Sequence, residues 1–192
     1  MVTGDIVPNG DATPNDWFGE PDDADHYKNI DEDKGAPNAE RINALTGLGD
    51  DNELENFDFT TLDDIQDNSI TQVVVWTYGI ITGTNSPEVA ISWDGGANWS
   101  AYVSTGIRVV AWYSNTFAGL SYSKADLDQF QISYRANVPD KLNTHNIYTC
   151  YVVVTYTEAV SGWAHKFNGV AGASIGKISG VAIANIGKVK GV

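Results

Sequence analysis

The chain of 192 residues is long enough for one domain with extensions, and 42% of its residues are hydrophobic, which is enough for a core. Its net charge of −14 argues against direct binding to nucleic acid, which needs a cationic surface. No run of 18 apolar residues occurs, so we expect no membrane span, and the single cysteine excludes an internal disulfide.

The charge is distributed unevenly along the chain. Residues 1–70 carry 19 of the 25 acidic residues, whereas residues 161–192 carry four lysines and no acidic residue. Opposite charges on two surfaces guide association more than they strengthen it. The distribution therefore predicts that the basic end contacts an acidic partner or the acidic end of another copy.

The first 53 residues are rich in Asp, Asn, Pro and Gly and show no sustained hydrophobic periodicity. This composition predicts an extended acidic N-terminal arm over residues 1–53, with turns and few strands. Trp17 and Phe18 stand out in so polar a segment. Because an aromatic residue in a polar arm usually anchors it to a surface by burying its ring, we expect both to be assembly contacts.

From residue 54 onward, apolar residues recur with the period of two that is typical of β-strands. The pattern predicts a hairpin from residues 88–93 and 99–103, and single strands over residues 54–59, 70–81, 107–114, 129–138 and 147–157. Residues 129–138 alternate so clearly that we expect one face of that strand to be solvated. Serial strands separated by turn residues predict an all-β fold, an antiparallel β-sandwich over residues 54–160.

The connection of the predicted hairpin has the pattern S-x-D-x-G-x-x-W, which resembles the Asp-box of sialidases and related β-proteins. Its defining residues are Ser92, Asp94, Gly96 and Trp99. The carboxylate can accept N–H groups of the turn, the glycine tolerates a positive φ, and the tryptophan can pack back on the hairpin. In that family the box is a fold element remote from the catalytic centre, so we expect a structural turn. Sialidase propellers carry several copies of the box, so the single copy here argues against a sialidase.

Candidates for catalysis and metal binding are few. The three histidines, His26, His145 and His165, are scattered, and no G-x-S-x-G, H-E-x-x-H or phosphate-binding motif occurs. The acidic runs in residues 22–33 lack the ligand spacing of a calcium loop. Cys150 lies in a strand pattern and is predicted to be a small core residue. We therefore predict a protein without catalytic residues, metal or cofactor.

Aromatic residues leave a binding function open. The tryptophans of the strand region could form a platform on which sugars stack, although such residues more often belong to a core: Trp76, Trp93, Trp99 and Trp112. An exposed aromatic cluster on one face would favour glycan binding. Two carboxylates in a cleft at glycosidase distance would favour an enzyme.

An eleven-residue repeat ends the chain. Residues 168–178 and 179–189 share Gly, Val, Ala, Ile, Gly and Lys in phase, and a third copy begins at residue 190. Small apolar residues and glycines permit close backbone approach but provide no catalytic group. We expect residues 161–192 to be a tail for assembly or anchoring, with apolar contact positions Val170, Ile175, Ile178, Val181, Ile183, Ile186 and Val189.

Several stretches, taken together in their order, resemble a family of virion proteins of tailed bacteriophages. They are the opening from His26 to Glu32, the short strand of residues 57–59, the segment from Ser123 to Ile132, the strand from Cys150 to Tyr156 and the repeats from Phe167 onward. The resemblance implies a jelly-roll-like sandwich built into or onto a virion and made in the cytoplasm of a bacterial host. It brings no catalytic residues to transfer.

We therefore predict a non-enzymatic virion structural protein, in particular a capsid decoration or head-associated protein that its terminal extensions attach to the particle. The expected partners are other virion proteins, namely capsid or tail subunits, and copies of the chain itself, but neither nucleic acid nor a membrane. The alternative is a carbohydrate-binding adhesin of a tail or fibre. A glycan depolymerase is a third candidate.

Overall fold

A computed structural model of the chain describes residues 2–21, 24–31, 37–45, 54–59, 69–127, 129–136, 144–157, 177–178 and 181–182. It divides into two compact units, residues 1–157 and residues 158–192, which are called the sandwich unit and the tail unit below. The sandwich unit consists of two antiparallel β-sheets. The all-β sandwich predicted from the period-two pattern is therefore confirmed.

The described residues form thirteen strands, a 3₁₀ helix over His26–Asn29 and one helical turn, α1, over Lys124–Leu127. The strands are, in chain order, β1 (Val2–Ile6), β2 (Pro8–Asn15), β3 (Phe18–Glu20), β4 (Arg41–Leu45), β5 (Leu54–Phe59), β6 (Ile70–Thr82), β7 (Glu88–Ser92), β8 (Val103–Ser104), β9 (Ala111–Tyr122), β10 (Gln131–Arg135), β11 (Thr144–Tyr156), β12 (Lys177–Ile178) and β13 (Val181–Ala182).

The larger sheet has the strand order β3-β4-β11-β6-β9, and β1 also pairs with β11. The smaller sheet has the order β2-β5-β10-β7-β8. The buried core between the sheets comes from alternate residues of the central strands, such as Val73, Ile132, Tyr134 and Val152. Cys150 is buried in this core and forms no disulfide, as the sequence predicts.

The N-terminal segment differs from the extended arm expected over residues 1–53. β1 and β4 pair with β11, and β2 pairs with β5, so the segment contributes strands to both sheets. β1 and β2 escape detection because they pair through backbone groups and carry few apolar side chains, of which Ile6 and Ala12 are buried.

Trp17 and Phe18 have different environments in the structure. Trp17 is only 2% exposed, and its ring lies 6.3 Å from the rings of both Tyr134 and His145, so it belongs to the core of its own sandwich. The expectation that Trp17 is an assembly contact is therefore wrong. Phe18 is 40% exposed and remains available for a contact.

A buried polar cluster holds the N-terminal segment in place. His26 Nδ1 lies 2.7 Å from Oε1 of Glu55, and the backbone N–H of Trp17 donates to the other oxygen of Glu55 at 3.0 Å. Asp11 accepts the backbone N–H groups of His26 and Tyr27, each at 2.8 Å. Burial raises the pKa of both carboxyls. Asp11, which the sequence assigns to the acidic arm, thus finds hydrogen-bond partners within the fold.

The second face of β10 is covered, although its sequence alternation predicts a solvated one. Ser133 is fully buried, and its hydroxyl lies 2.9 Å from that of Tyr102. The Arg135 guanidinium lies over the Tyr102 ring, 4.0 Å from its centroid. The segment between β7 and β8 folds back over this strand, a tertiary contact that the pattern within residues 129–138 does not contain.

Two further boundaries differ from the sequence prediction. The segment assigned to residues 107–114 is a strand over residues 111–122, which continues through polar residues because it pairs with β6. The return strand of the predicted hairpin begins at Val103 and not at residue 99. Residues 99–102 belong to the connection after the turn and form no strand.

The tail unit is described only at β12 and β13, which pair as a short hairpin with Ile178 opposite Val181. The other predicted contacts lie outside the described residues: Val170, Ile175, Ile183, Ile186 and Val189. Within the described part of the chain, no helix has the length and apolar character needed to cross a membrane.

Candidate functional site

One face of the larger sheet carries a cluster of aromatic side chains. Along β6 the alternate residues Val73, Val75 and Thr77 are buried toward the core, so the residues between them point to the opposite side. That side also receives residues from the two neighbouring strands, β9 and β11. The resulting set is called the aromatic face: Trp76, Tyr78, Trp112, Tyr148 and Tyr151.

The five rings of the aromatic face contact one another in sequence. Trp76 lies opposite Tyr151 in the strand register, and their rings are parallel within 8° at 6.0 Å. Tyr78 lies opposite Trp112, with ring centres 5.3 Å apart, and 6.0 Å from Tyr148. Trp112 meets Tyr151 edge to face at 5.2 Å. Because each ring is held by its neighbours, little side-chain entropy remains to be lost when a ligand binds.

A β-bulge places Tyr148. The pairing of β11 with β6 shifts between Ile147 and Thr149, so that Tyr148 is the additional residue. Gly79, the partner of Ile147, permits the close approach at this point, since a Cβ there would lie 2.6 Å from the carbonyl oxygen of Asn146. The bulge disrupts the alternation of β11 and brings Tyr148 to Tyr78.

The aromatic face has a buried centre and a partly exposed surface. Tyr151 is only 2% exposed, whereas the other four aromatic residues are partly exposed. Ser114 and Thr116 of β9 lie on the same side, paired with Trp76 and Val74, and both are exposed. The face thus combines an apolar surface with hydroxyl groups at its edge.

The Asp-box residues come together in one turn. Asp94 accepts the backbone N–H of Asn98 at 2.8 Å, the Asn98 side-chain N–H at 2.6 Å and the Ser92 hydroxyl at 2.8 Å. Gly96 donates its N–H to the Ser92 hydroxyl at 3.0 Å, and it has a positive φ of 82°. A Cβ on Gly96 would lie 3.3 Å from the Trp99 ring, so the ring packs against the turn.

These hydrogen bonds define the electrostatics of the turn. The bonds from the side chain and backbone of Asn98, and then from Ser92, hold the pKa of Asp94 below its usual value. A second carboxylate nearby, Asp126, accepts the backbone N–H and the hydroxyl of Ser123 at 2.6 and 2.8 Å. Asp94 therefore remains ionised at neutral pH and is unsuited to donate a proton, as the acid of a glycosidase must.

The described histidines have structural environments. His26 is paired with Glu55 in the buried cluster, and His145 is fully buried with Nε2 2.8 Å from the carbonyl oxygen of Asn85. Burial lowers the pKa of His145, which favours its neutral form. His165 lies outside the described residues. Among the residues that the structure describes, no three His, Cys, Asp or Glu side chains form a metal site.

The four tryptophans of the predicted sugar platform divide into two pairs. Trp76 and Trp112 lie on the aromatic face, whereas Trp93 and Trp99 lie beside the Asp-box turn. Sequence reasoning missed Tyr78, Tyr148 and Tyr151 as members of the face. The aromatic residues at alternate positions 76 and 78 could have indicated Tyr78. Tyr148 and Tyr151 are three positions apart, and the extra residue of the bulge puts them on one face, which the two-residue alternation of a strand does not predict.

No family model matches the sequence, and no curated protein matches it. The fold is similar to the C-terminal CBM6 of LamC, a marine laminarinase from Zobellia galactanivorans, with 11% identity, a TM-score of 0.43 and coverage of 80% of this chain and 99% of that one. It is also similar to TmCBM61 in complex with β-1,4-galactotriose, with 14% identity, a TM-score of 0.28 and coverage of 76% and 86%. Likenesses at these TM-scores leave the function to be inferred from the chain's own residues.

Proposed function

We propose that the sandwich unit is a non-enzymatic glycan-binding domain and that the aromatic face is its binding surface. The observation that carries this proposal is the set of five mutually packed rings on one side of three adjacent strands, four of them partly exposed. Among the functions that the sequence leaves open, an exposed aromatic cluster on one face is the feature that favours glycan binding.

The chemistry of a pyranose matches such a surface. The C–H groups on one side of the sugar ring are apolar and pack on an aromatic ring, while its hydroxyls need polar partners at the edge. Tyr and Trp offer large, stiff, amphipathic surfaces that lose little entropy on binding. Ser114 and Thr116 provide hydroxyls beside the rings.

The dimensions favour an oligosaccharide over a single sugar. The rings come from β9, β6 and β11, and neighbouring strands lie about 4.8 Å apart, so the face extends across about 10 Å of sheet in addition to its length along the strands. A surface with several adjacent rings can hold consecutive sugar residues, each by a modest contact.

The test compares aromatic variants on and off the face. Tyr148→Leu and Trp112→Ala should each weaken binding to a retained polysaccharide about tenfold or more, as loss of a stacking residue at an interface does. Affinity electrophoresis through gels with different embedded polysaccharides measures the effect. Tyr102→Leu is the matched control, since Tyr102 is a partly exposed tyrosine that packs over β10 of the other sheet. Absence of retardation by every polysaccharide, or equal retardation of all variants, would contradict the proposal.

The virion role is a separate proposal that is compatible with glycan binding. It is supported by the sequence resemblance and by the compact tail unit, whose described hairpin pairs the repeat positions Ile178 and Val181. A glycan-binding sandwich attached to a particle by such a tail would act as an adhesin of a tail or fibre.

A further inference from the structure

A second aromatic site lies between the Asp-box turn and the end of β9. It is a cleft of about 480 Å³, called the hairpin cleft here, and this volume is within the range of small-molecule sites. Four aromatic side chains line it: Trp93, Trp99, Phe117 and Tyr122. Asp94 and Asp126 are also among its lining residues.

The aromatic wall of the hairpin cleft is firmly supported. Trp93 and Tyr122 stack with ring centres 4.4 Å apart and 15° between their planes. Behind Trp93, the ring of the core residue Phe130 lies 4.7 Å away. Trp93 is 8% exposed and Tyr122 is 36% exposed, so Tyr122 presents the accessible ring while Trp93 supports it.

The charge of the hairpin cleft is negative. Asp94 and Asp126 contribute two carboxylates, and none of the described residues that line the cleft is a lysine or arginine. The hydrogen bonds of the turn keep Asp94 ionised at neutral pH. The chain as a whole carries a net charge of −14, which raises the local concentration of cations.

We propose that the hairpin cleft binds a compact organic cation that carries an ammonium group. The electron-rich faces of aromatic rings attract cations, most strongly where the cation is partly removed from water, and quaternary ammonium ligands are bound in this way. The two carboxylates add a Coulomb attraction that a neutral ligand of the same shape lacks. The site shares no residue with the aromatic face, so it does not depend on the glycan-binding proposal.

The test uses choline as the probe and 3,3-dimethyl-1-butanol as its neutral isostere, in which carbon replaces the quaternary nitrogen. Isothermal titration calorimetry of the full chain at low ionic strength should show that choline binds about tenfold more tightly than the isostere. Low ionic strength limits the screening of the carboxylates.

Two variants of the cleft and one control variant locate the binding. Tyr122→Leu should remove most of the affinity for choline, whereas Tyr102→Leu, at a tyrosine outside the cleft, should leave it unchanged. Asp126→Asn should weaken choline several-fold and leave the isostere unaffected, because it removes a charge and keeps the side-chain shape. The comparison of choline with the isostere on the unmodified protein decides the question even if a variant folds poorly. Equal affinity for the two ligands, no saturable choline binding, or an equal loss in Tyr102→Leu would overturn the proposal.

Discussion

The aromatic face and the hairpin cleft are built from the same residue types by different means. On the aromatic face, the register of three paired strands and one bulge positions every ring. At the hairpin cleft, a carboxylate and two glycines with positive φ fold a turn that presents its rings. Strand register is a property of the whole sheet, whereas the turn depends on a few local hydrogen bonds, so the two sites should fail under different substitutions.

The two sites also differ in charge. The aromatic face consists of Trp and Tyr and includes no acidic or basic side chain, while the hairpin cleft includes two carboxylates. Aromatic residues therefore do not by themselves define a ligand class. The polar and charged side chains beside the rings determine whether a neutral polyhydroxylated ligand or a cation is favoured.

The largest expected effect comes from Gly79→Ala, which disturbs the close approach of β6 and β11 at the bulge of the aromatic face. The added Cβ would lie 2.6 Å from the Asn146 carbonyl oxygen, so β6 and β11 must move apart at the bulge. We expect a loss of about 1–3 kcal/mol in the free energy of unfolding, as overpacking causes, together with weaker glycan binding. Urea denaturation measures the stability.

Gly10→Ala is the matched control for this substitution. A Cβ on Gly10 would be 3.5 Å from its nearest neighbour, an ordinary contact, so its unfolding midpoint should stay close to that of the unmodified protein. If Gly79→Ala unfolds at the same urea concentration as Gly10→Ala, the close approach of the two strands does not constrain the aromatic face.

A smaller and more local effect is expected from Asp94→Ala, which removes a carboxylate from the turn beside the hairpin cleft. It removes the acceptor for Asn98 and Ser92, so the melting temperature should fall, but by less than in Gly79→Ala. Choline affinity should fall, while retardation by polysaccharide gels should not change. Asp94→Asn, which retains an acceptor oxygen, should recover part of the melting temperature. Calorimetric scans in which all three proteins melt together would show that the turn does not need the carboxylate.

The smallest expected effect is a pH dependence from His145, which lies near the start of β11 and whose ring is close to that of Trp17. Burial lowers the folded-state pKa of His145 below the 6.5 of an exposed histidine, so the unfolded chain binds the proton more readily. The stability due to neutral His145 is present above pH 6.5 and is lost as the pH falls toward the folded-state pKa. His145→Asn should therefore show a flatter decline in stability from pH 7 to about pH 5.

Urea midpoints of the two proteins at several pH values measure this difference. Glu55 works in the opposite direction, because its raised pKa makes the folded protein bind a proton more readily as the pH falls. Both proteins contain Glu55, so the difference between their pH profiles reports His145. Parallel profiles would mean that protonation of His145 does not contribute.

The sequence predicts those parts of the fold that depend on neighbours along the chain. The strand over residues 54–59 and the long strand from Ile70 have the predicted type and almost the predicted limits, because their apolar alternation is local. The Asp-box turn is recognisable for the same reason, since its hydrogen bonds join residues no more than four positions apart.

The features that the sequence does not predict depend on distant partners. β2 pairs with β5, and the polar cluster that secures it joins His26 to Glu55, 29 residues away, so the segment resembles a solvated arm. Tyr102 covers a face of β10 that its alternation assigns to solvent. Trp76 and Trp112 are visible as candidates, but only the strand order brings them together on one face.

The pairing of β1 with β11 has a consequence for solubility. Residues 151–156, with the sequence Tyr-Val-Val-Val-Thr-Tyr, have high β-propensity, no charge and no proline, which is the composition of segments that form intermolecular sheets. β6 pairs with one edge of this segment, and β1 pairs with the other from Ile6 opposite Val152 to Val2 opposite Tyr156. Loss of β1 by truncation or proteolysis would expose that edge as a template for aggregation. A five-residue strand at the edge of this segment thus protects it from pairing with another chain.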